Sequence, residues 1–177
     1  MSTYMKTQLE KAILNLREKP HVNKKTLEQF SKRIESGAPF TKKEHTPAHF
    51  CSFFVPYNPQ THSIFVVHHK KAQDWIPPGG HIDPGESPLQ TVHREYHEEL
   101  GVVLKKEPIH LIDASITDIT HPLGYCNKHY DFWYVVSTDT VNFKYDKGEF
   151  YDAGWYPIDH VWQNMTQRVR VHKILRY

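Results

Sequence analysis

The sequence predicts an α/β protein, or α+β in another nomenclature: an α/β/α sandwich with a mixed sheet, preceded by a helical extension. Runs of β-branched and aromatic residues follow one another from residue 48, and one well-capped helix lies between them. A length of 177 residues fits one domain with an appendage. We therefore divide the chain into an N-terminal helical extension, residues 1–46, and a main domain, residues 47–177.

The extension contains two short amphipathic segments, which end before Pro20 and Gly37. Their apolar residues recur at helical spacing: Leu9, Ile13 and Leu16, then Leu27, Phe30 and Ile34. Helices this short are marginal alone, so the apolar stripes should pack onto the main domain or onto a second subunit. A monomer and a homodimer both fit the composition.

The main domain begins with strands. The candidate strands are residues 50–55, 63–69, 109–116, 129–136 and 155–157. Asn58-Pro59-Gln60 is turn material between the first two, which predicts a hairpin. A last helix is predicted over about residues 165–175.

The strongest predicted helix runs from Pro88 to Leu100. Ser87 is a good N-cap and Gln90 completes a capping box. Gly101 is a suitable C-terminal stop.

Three carboxylates fall on one sector of this helix, because Glu95, Glu98 and Glu99 stand at i, i+3 and i+4. An adjoining sector is apolar and should be buried: it holds Leu89, Val92, Tyr96 and Leu100. Like charges at this spacing repel, and a divalent cation with a preference for oxygen ligands, Mg²⁺ or Mn²⁺, would offset the repulsion. An isolated pattern of this kind is more often a solvated helix face. The flanking residues therefore decide between a solvated face and a metal site.

Residues 80–86 read GHIDPGE, and residues 94–102 read REYHEELGV. This stretch resembles the Nudix hydrolase signature, also called the Nudix box. In that signature a glycine and a glutamate precede Arg-Glu-U-x-Glu-Glu-x-Gly-U at fixed spacing, U being a bulky aliphatic residue. The one departure is Tyr96 at the first U position. Residues 68–71 and 75–81 also resemble the strand and loop that enter many bacterial Nudix domains.

The resemblance implies roles for individual residues. Glu95, Glu98 and Glu99 would be metal ligands or general base, and Arg94 would form a structural ion pair with Glu86. The family pattern also assigns the strand-to-loop turn to Gly79 and Gly80, with the Gly79 carbonyl near the metal, and includes Gly101 in the box.

Nudix proteins often supply another catalytic carboxylate from a later loop. Glu149, which lies six residues before Trp155, occupies that place, and we rank it above Asp152. A solvated loop acid is the alternative interpretation of Glu149.

Histidines and aromatic residues offer weaker signals. His93 and His97 form an i, i+4 pair that could bind a transition metal, although two exposed histidines are the commoner meaning. His81 could approach a substrate phosphate or cap the loop. Trp75 could stack a nucleobase, as could the residues of 132–134, but alternate strand residues usually belong to the core.

Composition narrows the class of protein. No apolar run approaches the length of a membrane helix and no signal-peptide core is present, so we expect a cytoplasmic protein with no membrane partner. Residues 1–46 carry ten Lys/Arg against five Glu, but such lysine excess is usually solvated, and no nucleic-acid partner is expected. Cys51 and Cys126 lack CxxC spacing, which supports neither a disulfide framework nor a thiolate zinc site.

The leading hypothesis is a Nudix-type, metal-dependent pyrophosphohydrolase that acts on a small-molecule nucleotide substrate, a nucleoside diphosphate derivative, with Mg²⁺ or Mn²⁺. No secondary signature outside the box selects the substrate. The alternative is a Nudix-fold nucleotide or nucleic-acid binding module without turnover, and a third hypothesis is a histidine-rich zinc-binding protein.

Overall fold

The computed structural model describes residues 3–119 and 126–161. Its helices are α1 (Thr3–Arg17), α2 (Lys24–Glu35), α3 (Pro88–Leu100) and the single turn α4 (Ile158–Val161). Its strands are β1 (Ala48–Asn58), β2 (Ser63–His69), β3 (Asp74–Ile76), β4 (Gly79–His81), β5 (Ile109–Asp118), β6 (Lys128–Ser137) and β7 (Phe150–Pro157). The helix predicted over residues 165–175 lies outside the described residues.

The strands form a seven-stranded mixed sheet, and the predicted mixed α and β fold class is confirmed. The strand order is β3-β2-β1-β6-β5, while β4 pairs with β1 and β7 pairs with β2. The predicted hairpin is present, since β1 and β2 are antiparallel with Asn58 opposite Ser63. The Asn58 side chain accepts the backbone N–H of Gln60 at 2.9 Å and fixes the turn.

Two features of the sheet differ from the prediction. Strand β7 starts at Phe150 instead of residue 155, because it pairs with β2 along its whole length, from Ser63 opposite Pro157 to His69 opposite Phe150. The short strands β3 and β4 were not predicted. Three-residue strands have too few residues for an alternating pattern, so only their partners define them.

The chain forms two compact units, and the first comprises Met1–Phe53, Gly80–Val92 and Leu111–Trp133. Its core is aromatic: the Phe30 ring of α2 lies 5.8 Å from Phe50 and 5.1 Å from Phe132, centroid to centroid. The predicted apolar residues of α1 and α2 are buried, so the helical stripes pack within this unit.

Arg33 joins the end of α2 to the start of β1. Its guanidinium is buried and donates hydrogen bonds to the carbonyl oxygens of Ala38, Pro39 and Ala48. Burial lowers the pKa of Arg33, against the raising effect of the charges of Tyr130 and Glu44. The three carbonyl acceptors satisfy the buried N–H groups of the guanidinium.

The second unit comprises Phe54–Gly79, His93–His110 and Tyr134–Tyr177. Tyr96 from α3 packs in its core, with ring centroids 5.0 Å from Phe54 and 5.8 Å from Phe143. A tyrosine at this position therefore supplies the bulk that a buried aliphatic residue would supply. None of the helices in the described part of the chain combines the length and apolar character that a membrane crossing requires.

Candidate metal-binding carboxylate site

Helix α3, which carries the candidate carboxylates, has the predicted ends. Gln90 Oε1 accepts the Ser87 N–H at 2.8 Å, and Ser87 Oγ accepts the Gln90 N–H at 3.2 Å, which is a reciprocal capping box. At the other end Gly101 has φ +70° and donates its N–H to the His97 carbonyl at 2.9 Å. Local hydrogen bonds thus set both ends of the helix that presents the glutamates.

One residue of the predicted apolar sector is not buried. Val92, Tyr96 and Leu100 are fully buried, whereas Leu89 is 42% exposed. Its angle around the helix fits the buried sector, but it lies in the first turn, and a helical wheel takes no account of position along the axis.

Glu99 is the most buried of the candidate carboxylates, at 5% exposure. Its Oε2 atom accepts the backbone N–H of Gly79 at 2.7 Å. Gly79 has φ +138°, a conformation that favours glycine, and this brings the N–H against the carboxylate. Burial, the charge of Glu95 and further carboxylates raise the pKa of Glu99 well above its ordinary value, against the lowering effect of the Gly79 hydrogen bond.

Arg94 bridges the other two glutamates of the helix. Its Nη1 atom lies 2.7 Å from Glu95 Oε1 and 3.1 Å from Glu98 Oε2. The Glu95 side chain is 12% exposed and the Glu98 side chain 56%. Burial raises the pKa of Glu95, the Arg94 guanidinium lowers it, and the charges of Glu98 and Glu149 raise it further.

Glu149 belongs to the same electrostatic cluster, because its charge raises the pKa of both Glu95 and Glu99. The Glu149 side chain is 45% exposed, and its Oε2 atom lies 3.8 Å from His69 Nε2. The Glu149 carbonyl accepts the Lys70 N–H at 2.9 Å, which ties this position to the end of β2.

Asp152, the lower-ranked alternative, is an exposed residue of β7 paired with His68. Of these two acids it is Glu149 whose charge raises the pKa of Glu95 and Glu99, which favours Glu149 for the additional carboxylate.

The donor set fits a divalent cation that prefers oxygen ligands. Four carboxylates influence one another electrostatically, and Arg94 is the cation in contact with two of them. Two of the four have raised pKa values because burial and like charge disfavour ionisation. A divalent cation would reverse that penalty and keep Glu95 and Glu99 ionised.

The loop before α3 is held by Glu86. Its Oε2 atom accepts the Asp83 N–H at 3.1 Å and the Thr91 hydroxyl at 2.8 Å. These two hydrogen bonds fix the loop to the start of α3, and the ion pair of Glu86 with Arg94 stays a prediction.

The weaker sequence candidates lie in different surroundings. His81 on β4 contacts His129, with their Nε2 atoms 3.3 Å apart, and its proposed approach to a phosphate stays a prediction. Trp75 stacks on His68 at 5.3 Å between ring centroids, as a strand residue paired with β2. His93 and His97 are both exposed.

The rings of Phe132, Trp133 and Tyr134 are buried, as expected of core residues. Sequence reasoning missed His69, which lies beside Glu149. The two histidines that end β2 gave no signal that one of them would face a carboxylate from a distant loop.

A capped helix with one buried and two more exposed carboxylates, beside a mixed sheet, defines this chain as a candidate metal-binding protein of the α/β sandwich class. The NUDIX domain profile matches residues 48–176, and the chain belongs to this family. The resemblance found in the box is thereby confirmed.

Two sequence relatives illustrate the range of the family. A probable DHNTP pyrophosphohydrolase of Lactococcus lactis is 34% identical over 79 residues, which cover 43% of this chain and 47% of the relative. The bis(5'-nucleosyl)-tetraphosphatase of Sus scrofa is 53% identical over 36 residues, which cover 20% of this chain and 21% of the relative. The matched segments thus span less than half the length of either relative.

The fold is also that of solved Nudix structures. The Escherichia coli dihydroneopterin triphosphate pyrophosphohydrolase matches with a TM-score of 0.63 and 13% identity, covering 72% of this chain and 93% of the other. At that identity the likeness establishes the shared fold.

Proposed function

We propose that this protein is a metal-dependent hydrolase that cleaves a diphosphate linkage in a nucleoside diphosphate derivative. The observation that carries the proposal is the set of four electrostatically coupled carboxylates, Glu95, Glu98, Glu99 and Glu149, two of them with raised pKa values. A module that only binds nucleotides has no need of this arrangement, since it concentrates negative charge where a phosphate would bind.

Glu95, Glu98 and Glu99 would hold Mg²⁺ or Mn²⁺, with the Gly79 carbonyl as a further oxygen donor. When bound, such an ion supplies neutralisation of phosphate charge and acidifies water for attack. The Gly79 N–H orients the Glu99 carboxylate at 2.7 Å, and Arg94 orients Glu95 at 2.7 Å. These side chains are thus positioned before substrate arrives.

In the proposed reaction water attacks one phosphorus, the bond from that phosphorus to the bridging oxygen breaks, and both products carry phosphate. A carboxylate must accept the proton of the water. We assign this role to Glu149, whose carboxylate is half-exposed and lies 3.8 Å from His69 Nε2. Its replacement by glutamine should reduce kcat and change the pH profile while leaving KM nearly unchanged.

The substrate proposal follows from chemistry that the relatives' names share. A dihydroneopterin triphosphate and a dinucleoside tetraphosphate both contain phosphoanhydride linkages, and both are attached to a heterocycle. We therefore propose a small-molecule substrate of this kind, in the cytoplasm. Residues 1–46 remain in our proposal a helical extension of a hydrolase domain that begins at residue 47.

A product-release screen tests the proposal. Purified protein is incubated with nucleotides, nucleotide sugars and dinucleotides in Mg²⁺ or Mn²⁺, and products are separated by chromatography. Wild type should turn over one class of substrate, and Glu98→Gln should lose at least about 100-fold in kcat/KM, as expected for an interaction used in the transition state. Glu28→Gln, which removes an exposed carboxylate from α2, is the matched control.

Two outcomes would contradict the proposal. Turnover that persists in Glu98→Gln would exclude the carboxylate cluster as the active site. Ligand binding without turnover of any compound, in protein that binds Mg²⁺, would instead favour the nucleotide-binding module.

A further inference from the structure

A second group of metal-ligating side chains lies in the first compact unit, apart from the glutamates in sequence. Its ligand atoms all lie within 4.8 Å of one another, and we call it the histidine–cysteine cluster: His49, His81, Cys126 and His129. We propose that this cluster binds one zinc ion through four protein ligands.

Sheet topology brings the three histidines together. Strand β1 pairs with both β4 and β6, so His49 stands between His81 and His129. The ring centroid of His49 lies 4.7 Å from that of His81 and 4.8 Å from that of His129. Rings on adjacent strands thus converge on one point from three elements.

Backbone hydrogen bonds place Cys126 beside them. The next residue, Asn127, donates its N–H to the Pro47 carbonyl at 2.8 Å, and its own carbonyl accepts the Ile119 N–H at 2.9 Å. Pro47 immediately precedes β1, so these bonds hold the thiol at the edge of the ring group.

The spacing of ligand atoms suits tetrahedral coordination. His81 Nε2 and His129 Nε2 are 3.3 Å apart. Zinc–nitrogen distances of about 2.0–2.1 Å place two tetrahedral nitrogen ligands about 3.4 Å apart. An imidazole–imidazole hydrogen bond would account for this contact too, but it would not account for His49.

His49 supplies the independent observation. It is fully buried, and its Nδ1 atom lies 3.1 Å from the Thr46 carbonyl oxygen, which requires the ring to carry its proton on Nδ1. The Nε2 lone pair is then available, and Nε2 is buried with no hydrogen-bond partner among the described residues. A ring that donates from one nitrogen and presents the other as a lone pair is the usual arrangement of a metal-ligating histidine.

Donor type favours zinc over Mg²⁺ here. Nitrogen and sulfur donors suit zinc, and four protein ligands leave no open position, which makes this a structural site.

Sequence spacing does not join the whole cluster, since Cys126 and His129 are three positions apart but His49 and His81 lie far from them in the chain. In the helices of residues 3–119 and 126–161, the histidine pair at ligand spacing is His93 and His97, which is exposed on α3. That pair now provides a control that removes two histidines without touching the cluster.

The test is metal binding by the full chain, read by cobalt substitution. Chelator-treated protein is titrated with Co²⁺, then with Zn²⁺ in competition. Wild type should bind one equivalent of Co²⁺ at this cluster. The complex should show the intense visible absorption of tetrahedral cobalt and a near-ultraviolet thiolate-to-cobalt band. Carboxylate ligands alone give neither band, so binding to the glutamates is distinguishable.

Variants assign the ligands. His129→Ala should weaken zinc binding by more than about 100-fold, beyond the loss typical of outer-shell changes. Cys126→Ser should abolish the thiolate band, whereas Cys51→Ala and the double variant His93→Ala/His97→Ala should keep it. Since Cys126 is only partly buried, its variant should fold normally.

Three results would overturn the proposal. The first is the absence of a tetrahedral cobalt spectrum in the wild type. The second is a tetrahedral spectrum without the thiolate band. The third is a thiolate band that disappears in Cys51→Ala but persists in Cys126→Ser.

Discussion

Replacement of Glu99 by glutamine should stabilise the metal-free protein at neutral and alkaline pH. Glu99 is buried beside Glu95, and burial followed by like charge raises its pKa well above the ordinary value. The glutamine side chain has nearly the same shape, and its amide oxygen can still accept the Gly79 N–H. The change therefore removes a disfavoured charge while keeping the hydrogen bond.

The direction of the pH dependence follows from proton linkage. The pKa of Glu in the unfolded chain is about 4.3, below the pKa of Glu99 in the folded protein. Above about pH 4.3 the unfolded chain has released a proton that the folded protein keeps. The free energy of unfolding therefore falls as pH rises towards the folded-state pKa, and glutamine removes this loss.

The stabilisation expected of Glu99→Gln grows with the amount by which the pKa of Glu99 is raised. Each unit corresponds to about 1.4 kcal/mol once the group is fully ionised. A raised pKa of a single unit would give a stabilisation of about 1.4 kcal/mol, which at an m-value of about 2 kcal/mol/M moves the urea midpoint by about 0.7 M. We expect at least this shift at pH 8 and none at pH 3.5.

The assay is urea denaturation in chelator across that pH range, with Glu28→Gln as the exposed control. Saturating Mg²⁺ should stabilise wild type more than Glu99→Gln, since ligand binding to the folded state adds stability. A variant that is less stable than wild type in chelator at pH 8, or a pH dependence identical to that of wild type, would refute the reasoning.

Three further substitutions have expected costs that urea denaturation can measure. Gly101→Ala should cost about 2–4 kcal/mol, because the residue has φ +70° and a Cβ there would lie only 3.1 Å from the Lys144 carbonyl oxygen. Gly37→Ala, at φ +72° but in open space, should cost about 1 kcal/mol. Equal costs of the two changes would disprove the steric contribution. Arg33→Lys should cost about 2–3 kcal/mol, because the N–H groups of an ammonium do not reproduce the planar fork by which the guanidinium reaches three buried carbonyls. An unchanged stability would contradict this geometric argument. Ser87→Ala should cost about 1 kcal/mol by loss of the N-cap, and an unchanged urea midpoint would show that the capping hydrogen bond contributes nothing.

Local signals predicted α3 to the residue. Ser87, Gln90 and Gly101 make hydrogen bonds within a few positions of themselves, so their effect can be derived from a short stretch of sequence. The sector of three glutamates follows from the same helix geometry. Burial is not local, and this is why Leu89 was wrongly assigned to the core while Val92 was assigned correctly.

Features that depend on pairing between distant segments could not be predicted in this way. The first half of β7 is a strand because β2 lies beside it, with Val67 opposite Ala153. The histidine–cysteine cluster depends on the order β4-β1-β6, and strand order is not encoded in the spacing of His49 and His129. Glu149 was placed only by resemblance to a family, since no local pattern separates it from other loop acids.

The packing of α2 has a consequence during synthesis of the chain. The ring of Phe30 lies 5.2 Å from Tyr130 and 5.1 Å from Phe132, residues that are added about 100 positions later. At about 5–20 residues per second a ribosome takes about 5–20 s to reach them. For that interval the contact with α1 and, once β1 has been made, the Phe50 ring 5.8 Å from Phe30 cover only part of the apolar side of α2. The rest of that side stays open to water or to a chaperone until β6 emerges.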